Sequence, residues 1–133
     1  EGDLSVRVLA SGTRTCDVPI IIQHMFRAGL GADLPCTISY TIKAIGLFAR
    51  IDGVDVCVVM LYAYEYGPSA PARNAKSVYA AYVDSVEYVY PDAVRSHIYQ
   101  EVIGVYLEHT RRVRCETAYL WSAPAWQAVS YVW

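Results

Sequence analysis

Apolar and polar residues alternate at the beginning of the chain, from Leu4 to Ala10, and Ser11-Gly12 follows directly. A period of two is typical of a β-strand with one buried face, and a Ser-Gly pair is typical of a turn. The sequence therefore predicts a first strand over 4–10 that ends in a turn at Ser11-Gly12.

A short helix is predicted next, over 19–28, because Ile21, Met25 and Ala28 recur at helical spacing. Asp17 stands just ahead of this segment as a candidate N-cap, since a carboxylate can accept a hydrogen bond from a free backbone N–H. The run Gly29-Leu30-Gly31 is expected to break the helix.

Two runs rich in β-branched and aromatic residues, 38–51 and 54–64, are separated by Asp52-Gly53. An Asp-Gly pair in this position is the strongest short-range signal for a β-hairpin in the chain. A loop over 66–71 then leads to a Tyr- and Val-rich strand over 77–86. The sequence thus predicts a sheet of at least four strands.

A long helix is predicted from Pro91-Asp92 to about Val113, with Asp92 supplying negative charge and capping chemistry at its start. Basic residues at its end match the opposite pole of the helix dipole: Arg111, Arg112 and Arg114. A stripe expected to be buried has helical spacing: Val94, Ile98, Val102 and Val105. With further strands at 117–121 and 128–133, the predicted fold class is α/β, a central mixed, mostly antiparallel β-sheet flanked by helices.

The composition fits one domain of 133 residues, 55% of which are hydrophobic, with a mean hydropathy of +0.23. So apolar a chain indicates either a sheet buried on both faces or a piece of a larger domain. The start at Glu1 without an initiator Met and the end at Trp133 within an apolar pattern favour a piece of a larger domain. The net charge of −2 argues against direct nucleic-acid binding. No segment has the pattern of a membrane span or a secretion signal.

Motifs of metal binding and catalysis are weak in this sequence. The four cysteines are far apart and are expected to be free and mostly buried: Cys16, Cys36, Cys57 and Cys115. The three histidines, His24, His97 and His109, are also spread out, so no metal site is predicted. No GxSxG, HExxH, P-loop or complete GxGxxG motif occurs.

The more informative feature is a strand ending at 82–86, a short aromatic connection, and a helix whose first turns contain Arg95 and Ser96. Backbone N–H groups, a guanidinium and a hydroxyl together can bind an anion. The alternative is that Arg95 is a solvated residue of the helix surface. From the residues alone, both interpretations stay open.

A series of motifs in order resembles the acetyltransferase domain of the CREB-binding-protein family of histone acetyltransferases. The motifs are Ile51-Asp52-Gly53-Val54-Asp55-Val56-Cys57, Glu65-Tyr66-Gly67, Val78-Tyr79, Tyr82-Val83-Asp84-Ser85-Val86, Arg95, Tyr99, Glu101, Tyr106-Leu107-Glu108, Trp121 and Pro124. Val6-Arg7-Val8-Leu9-Ala10-Ser11 also resembles the family's first strand, so the resemblance covers residues 1–133 as a single, partial acetyltransferase domain.

The resemblance implies an acetyltransferase-like core and a protein-lysine N-acetyltransferase that uses acetyl-CoA, acting on histone tails and other nuclear proteins as a nuclear transcriptional coactivator. It implies that Val83, Asp84 and Ser85 hold the pantetheine arm of acetyl-CoA. By the same resemblance Arg95 and Ser96 contact its phosphates. Tyr99 and Trp121 lie near the cofactor, and Trp121 is the candidate neighbour of the reacting thioester.

The sequence also departs from the family pattern. Only Lys76 remains of a basic pair ahead of the central strand, Arg114 replaces a glycine, and Ala123-Pro124-Ala125 replaces Cys-Pro-Pro. The family's proposed general acid, a tyrosine, corresponds to sequence after Trp133. Cofactor binding is therefore expected more firmly than turnover, and the alternative function is a non-catalytic, truncated or degenerate interaction module.

Overall fold

The computed structural model describes residues 4–86, 89, 91–113 and 115–121. Its elements, in chain order, are β1 (Leu4–Asp17), α1 (Ile20–Leu30), β2 (Thr37–Ile51), β3 (Val54–Tyr66), β4 (Ser77–Ser85), α2 (Asp92–Arg112) and β5 (Thr117–Leu120). The five strands form one sheet in the order β1-β2-β3-β4-β5. Neighbouring strands are antiparallel except β4 and β5, which are parallel and joined by α2. The predicted α/β class with a mixed, mostly antiparallel sheet is confirmed.

The predicted turn at Ser11-Gly12 is wrong, because β1 continues through it to Asp17. Gly12 lies opposite Ile42, and the pairing with β2 is interrupted only by a bulge between Val8 and Ala10. The long partner strand supplies backbone hydrogen bonds throughout, and this pairing overrides the local turn preference of Ser-Gly.

Asp17 is the last residue of β1 and does not cap α1, so the capping prediction is also wrong. The N-cap position of α1 is Pro19, which forms no side-chain cap hydrogen bond. The helix passes through Gly29 and ends at Gly31, whose φ of 63° places it in the left-handed region. That conformation favours glycine at a helix C-terminus, which explains why the helix stops there.

The hairpin of β2 and β3 forms where the sequence predicts it. Asp52 has a φ of 48° and Gly53 a φ of 79°, the two positive values that a tight turn between twisted strands requires. Ile51 pairs with Val54 directly across this turn, so the hairpin closes without an intervening loop.

The core lies between α2 and one face of the sheet. Its buried residues come from β2, β3 and β4: Ile45, Leu47, Val58, Val59, Leu61, Ala63, Val78 and Ala80. Ile98 and Val102 of α2 pack against them, as predicted, but Val94 and Val105 are exposed. The residues of α2 that are fully buried are Tyr106 and Thr110. The face of α2 that contacts the sheet therefore follows a spacing of four residues: Ile98, Val102, Tyr106 and Thr110.

The predicted capping role of Asp92 is wrong. The N-cap position of α2 is Pro91, without a side-chain cap hydrogen bond, and Asp92 is the first residue of the helix. Its carboxylate lies 3.3 Å from Arg95 Nη2, one turn further along. Asp92 still places negative charge at the positive end of the helix dipole, as the sequence predicts.

A polar cluster ties α2 to the centre of the sheet. The Tyr106 hydroxyl donates a hydrogen bond of 2.8 Å to Glu65 Oε1, and Lys43 Nζ lies 2.9 Å from Glu65 Oε2. Burial raises the pKa of the Tyr106 phenol, and the hydrogen bond to Glu65 raises it further. Tyr106 therefore stays protonated and remains a donor to Glu65.

The four cysteines are free, but the expectation that they are mostly buried is wrong. Cys16 and Cys36 are exposed, and Cys57 and Cys115 are half-buried. Burial raises the pKa of the Cys57 and Cys115 thiols, so both stay protonated near neutral pH. Cys16 is exposed because it lies near the end of β1, an edge strand.

Lys76, just before β4, has a φ of 55°, which costs a residue with a Cβ about 1–2 kcal/mol. Its side chain pairs with Glu116 at 2.5 Å, in an exposed ion pair of small stability value. We expect Lys76→Gly to be about 1 kcal/mol more stable than Lys76→Ala, since neither variant has the ion pair and only glycine relieves the strain. Urea unfolding of both variants measures the difference, and equal free energies of unfolding would show that the backbone is unstrained.

Candidate functional site

The carboxyl-terminal half of β4 has a free edge. β5 pairs only with Ser77–Ala80, whereas β3 continues to pair with β4 as far as Ser85. From Tyr82 to Ser85 the strand is thus paired on one side only within the part of the chain that the structure describes. Alternate residues of such an edge present N–H and C=O groups to a ligand, and an extended molecule can hydrogen-bond along it.

The three predicted pantetheine-binding residues lie along this edge. Val83 packs towards α2 and contacts both clusters of the core. Asp84 Oδ1 accepts a hydrogen bond of 2.8 Å from the backbone N–H of Ser85. Ser85 Oγ is buried and has no hydrogen-bond partner among the described residues.

The first turns of α2 begin close to the end of β4. Ile98 and Tyr99, one to two turns into the helix, pack against the same buried cluster of β2 and β3 as Val83 and Val86. Pro91 supplies no side-chain cap, so among the described residues the first N–H groups of α2 and the positive pole of its dipole remain available. The structure therefore places the start of α2 beside the free part of the β4 edge.

The predicted phosphate-contacting residues occupy these first turns. Arg95 is half-buried, with its guanidinium 3.3 Å from Asp92, and Ser96 is exposed on the neighbouring position. Tyr99 is half-buried against Leu47 and Val58, so in this structure its ring packs beneath the helix. Of the predicted residues on α2, Arg95 and Ser96 thus have the accessibility that a phosphate contact needs.

Trp121 follows β5 directly and is 62% exposed. Together with Asp84 it lines an open trough of about 620 Å³ on the face of the sheet opposite α2, and Val83, whose side chain packs towards α2, borders the same trough. The structure therefore brings three predicted site residues, from the ends of two neighbouring strands, to one cavity. The other residues lining the trough are Ile42, Met60, Tyr62, Tyr64, Ala81 and Tyr82.

The sequence prediction did not include the tyrosines of this trough. The alternation of Tyr62, Tyr64 and Tyr66 along β3 was a signal that could have identified them, because alternate residues share one face of a strand. Their proximity to Tyr82 depends on the pairing of β3 with β4. In this pairing Tyr62 lies directly opposite Tyr82, next to a bulge between Tyr62 and Ala63.

Two classes of site have no support among the described residues. In residues 4–86, 89, 91–113 and 115–121, no three His, Cys, Asp or Glu side chains converge as metal ligands would. Neither helix of this part of the chain has the length and hydrophobicity needed to cross a bilayer.

The second strand predicted after α2, at 128–133, lies outside the described residues.

Residues 1–133 match the sequence model of the histone acetyltransferase domain KAT3. The chain is 34% identical over 136 residues to the rice protein "Probable histone acetyltransferase HAC-like 3" (Oryza sativa subsp. japonica), a match of 97% of this chain and 10% of the relative. It is 38% identical over 93 residues to "Protein cbp-1" of Caenorhabditis elegans, covering 70% of this chain and 5% of that protein. For "Histone acetyltransferase HAC12" of Arabidopsis thaliana the identity is 31%, over 97% of this chain and 8% of the relative. The chain thus spans a tenth or less of the length of these relatives.

Proposed function

The chain belongs to the KAT3 histone acetyltransferase family, and on that premise we propose that it binds acetyl-CoA along the free edge of β4. The observation that carries the proposal is the position of this edge beside the start of α2, where Pro91 supplies no side-chain cap. An extended arm with amide groups suits a strand edge, and a pyrophosphate suits a helix N-terminus with an arginine. Acetyl-CoA contains both parts in one molecule.

In this proposal, the pantetheine amides bond to the backbone of Val83–Ser85, and Ser85 Oγ gains the partner that it lacks among the described residues. Arg95 and Ser96 contact the phosphates. Arg95 lies close to Asp92, which holds the guanidinium near the helix start without burying it. Trp121 follows β5 and lines the trough next to Val83 and Asp84 of β4. We assign it to the neighbourhood of the thioester.

The reaction is the transfer of the acetyl group to the ε-amine of a lysine. The neutral amine attacks the thioester carbonyl and forms the C–N bond, the C–S bond breaks, the nitrogen gives up one proton, and CoA leaves as a thiolate that takes up a proton. The role we assign to the residues of this chain is to orient acetyl-CoA. Histone tails and other nuclear proteins are the proposed substrates, and the proposed setting is a nuclear transcriptional coactivator.

A non-catalytic interaction module is the second candidate. The observation that favours it is an apolar row on β1, Leu4, Val6 and Val8, each about three-fifths exposed and facing an open groove beside α2. Exposed apolar surface of this extent is typical of contacts with another protein or domain. A module of this kind would keep the fold and bind a partner without transferring acetyl groups.

Calorimetric titration of the chain with acetyl-CoA, followed by an acetylation assay on a histone H4-like peptide, tests both candidates. We expect binding with a Kd on the order of micromolar, within the range usual for enzyme substrates. No heat at millimolar acetyl-CoA would refute the proposed site. Binding of acetyl-CoA supports the proposed cofactor site, acetylation in addition supports the enzyme, and a folded chain that does not bind acetyl-CoA leaves the interaction module.

A further inference from the structure

Two arginines of α2 form ion pairs of different geometry with an acid of the same helix. Arg111 donates two hydrogen bonds to Glu108, from Nε at 2.8 Å and from Nη2 at 2.9 Å, and its side chain is 73% exposed. Arg95 contacts Asp92 through one longer approach, from Nη2 to Oδ1 at 3.3 Å, and its side chain is 31% exposed. Arg111 is thus fully engaged by its partner at the surface, whereas Arg95 is half-buried and loosely paired.

The loose pair leaves most of the guanidinium of Arg95 unused. A guanidinium has five N–H donors, and the contact with Asp92 involves one of its nitrogens. Asp92 is the one acid that pairs with Arg95 among the residues that the structure describes. Two oxygens of a phosphate match the fork of N–H groups on an arginine. Arg95 can therefore bind a phosphate while Asp92 keeps its place beside it.

Asp92 can affect a bound phosphate in two opposite ways. It can hold the guanidinium at the start of α2, so that binding does not have to order a free arginine side chain. It also carries a negative charge that repels a phosphate directly. The side chain of Asp92 is 75% exposed, however, so water and salt screen this longer-range repulsion. The direct contact with Arg95 is therefore expected to have the larger effect.

We propose that Asp92 is a positioning residue for acetyl-CoA, which acts by holding the guanidinium of Arg95 at the start of α2. The inference rests on the proposed function, in which Arg95 contacts the phosphates, and it gives a role in binding to a residue that does not itself touch the ligand. Because Asp92 acts through Arg95, its removal should weaken binding when Arg95 is present and have little effect when Arg95 is absent.

The first test measures the guanidinium of Arg95 in the free chain. NMR relaxation of its Nε–H group reports how firmly the side chain is held. We expect the order parameter to fall in Asp92→Asn, which keeps the shape of the side chain and removes its charge. The matched change Glu108→Gln, in the pair of Arg111, should leave the value for Arg95 as it is. An unchanged order parameter in Asp92→Asn would overturn the proposal.

The second test is a double-mutant cycle on the binding of acetyl-CoA, measured by calorimetric titration. Asp92→Asn is expected to raise the Kd about three- to fivefold when Arg95 is present. In the Arg95→Ala background the same change should alter the Kd by less than about twofold, because the group that Asp92 holds is gone. Asp92→Glu keeps a carboxylate on the same face of the helix and should stay within about twofold of the wild type.

Two controls separate this effect from damage to the helix. S-acetyl-pantetheine has no phosphate, so Asp92→Asn should leave its Kd unchanged, whereas a distorted site would weaken the binding of both ligands. Glu108→Gln should leave the Kd for acetyl-CoA unchanged, because Glu108 pairs with Arg111 and Arg112 near the other end of α2.

The outcomes distinguish failure of this inference from failure of the proposed function. No binding of acetyl-CoA by the wild type would refute the proposed function, and this inference with it. Binding by the wild type, with the same change of Kd for Asp92→Asn in both backgrounds, would overturn this inference alone, because Asp92 would then act without Arg95. Tighter binding by Asp92→Asn would also overturn it, since the carboxylate would then only repel the phosphates.

Discussion

Arg95→Ala is expected to weaken acetyl-CoA binding by about tenfold to a hundredfold. A hydrogen bond between a guanidinium and a phosphate is worth about 1.5–3 kcal/mol, and the variant loses it without a new contact. Arg95 lies in the first turns of α2, and its guanidinium is outside the core. The fold should therefore be unaffected, and calorimetric titration of the variant measures the loss.

Two controls show whether this loss concerns the phosphates. Arg111→Ala removes an arginine near the other end of the same helix, where the guanidinium bonds Glu108, and should leave the Kd for acetyl-CoA unchanged. S-acetyl-pantetheine has no phosphate, so its binding should be the same in Arg95→Ala and in the wild type. An unchanged Kd for acetyl-CoA in Arg95→Ala would place the phosphates away from the start of α2.

The elements that follow from local chemistry could be predicted from the sequence. Asp52-Gly53 between two β-branched runs specifies the β2–β3 hairpin, because the positive φ values that the turn requires are available to these two residues. The length of α2 is also evident from the sequence, because Asp92 stands at its start and basic residues stand at its end. In both cases the residues that determine the turn or the helix end lie within a few positions of it.

The errors occurred where a distant part of the chain decides the conformation. Ser11-Gly12 has the composition of a turn, but β2 pairs with β1 along its whole length and keeps it extended. Asp17 has the chemistry of a cap, but the same pairing makes it the last residue of a strand. Val105 has the spacing of a buried residue and is nevertheless exposed, because Tyr106 takes the position towards the sheet.

The sequence indicates individual residues of the candidate site but not their arrangement in space. The strand residues Val83 and Asp84 were identified together with Trp121, and the structure brings the three to one trough. The tyrosines of the trough were missed, because their convergence depends on the register between β3 and β4. Neighbouring residues on one strand are visible in a sequence, whereas a cavity formed by several strands is not.

Glu65→Ala is expected to lower the free energy of unfolding by about 2–4 kcal/mol. Glu65 is the common partner of Lys43 and Tyr106, and its side chain is only 18% exposed. Its removal leaves a half-buried ammonium and a phenol without their acceptor, and breaking such a pair costs more than forming it gains. The loss should also loosen α2 from the sheet, since Tyr106 is one of two fully buried residues of that helix.

Two milder variants decide whether charge or hydrogen bonding dominates. Glu65→Gln keeps an oxygen acceptor for the Tyr106 hydroxyl but removes the charge facing Lys43, and we expect a loss of about 1–2 kcal/mol. Tyr106→Phe keeps the ion pair of Glu65 with Lys43 and should cost about 1 kcal/mol. Urea unfolding followed by circular dichroism ranks the three. If Glu65→Ala were no less stable than Tyr106→Phe, the ion pair with Lys43 would contribute nothing to stability beyond the hydrogen bond to Tyr106.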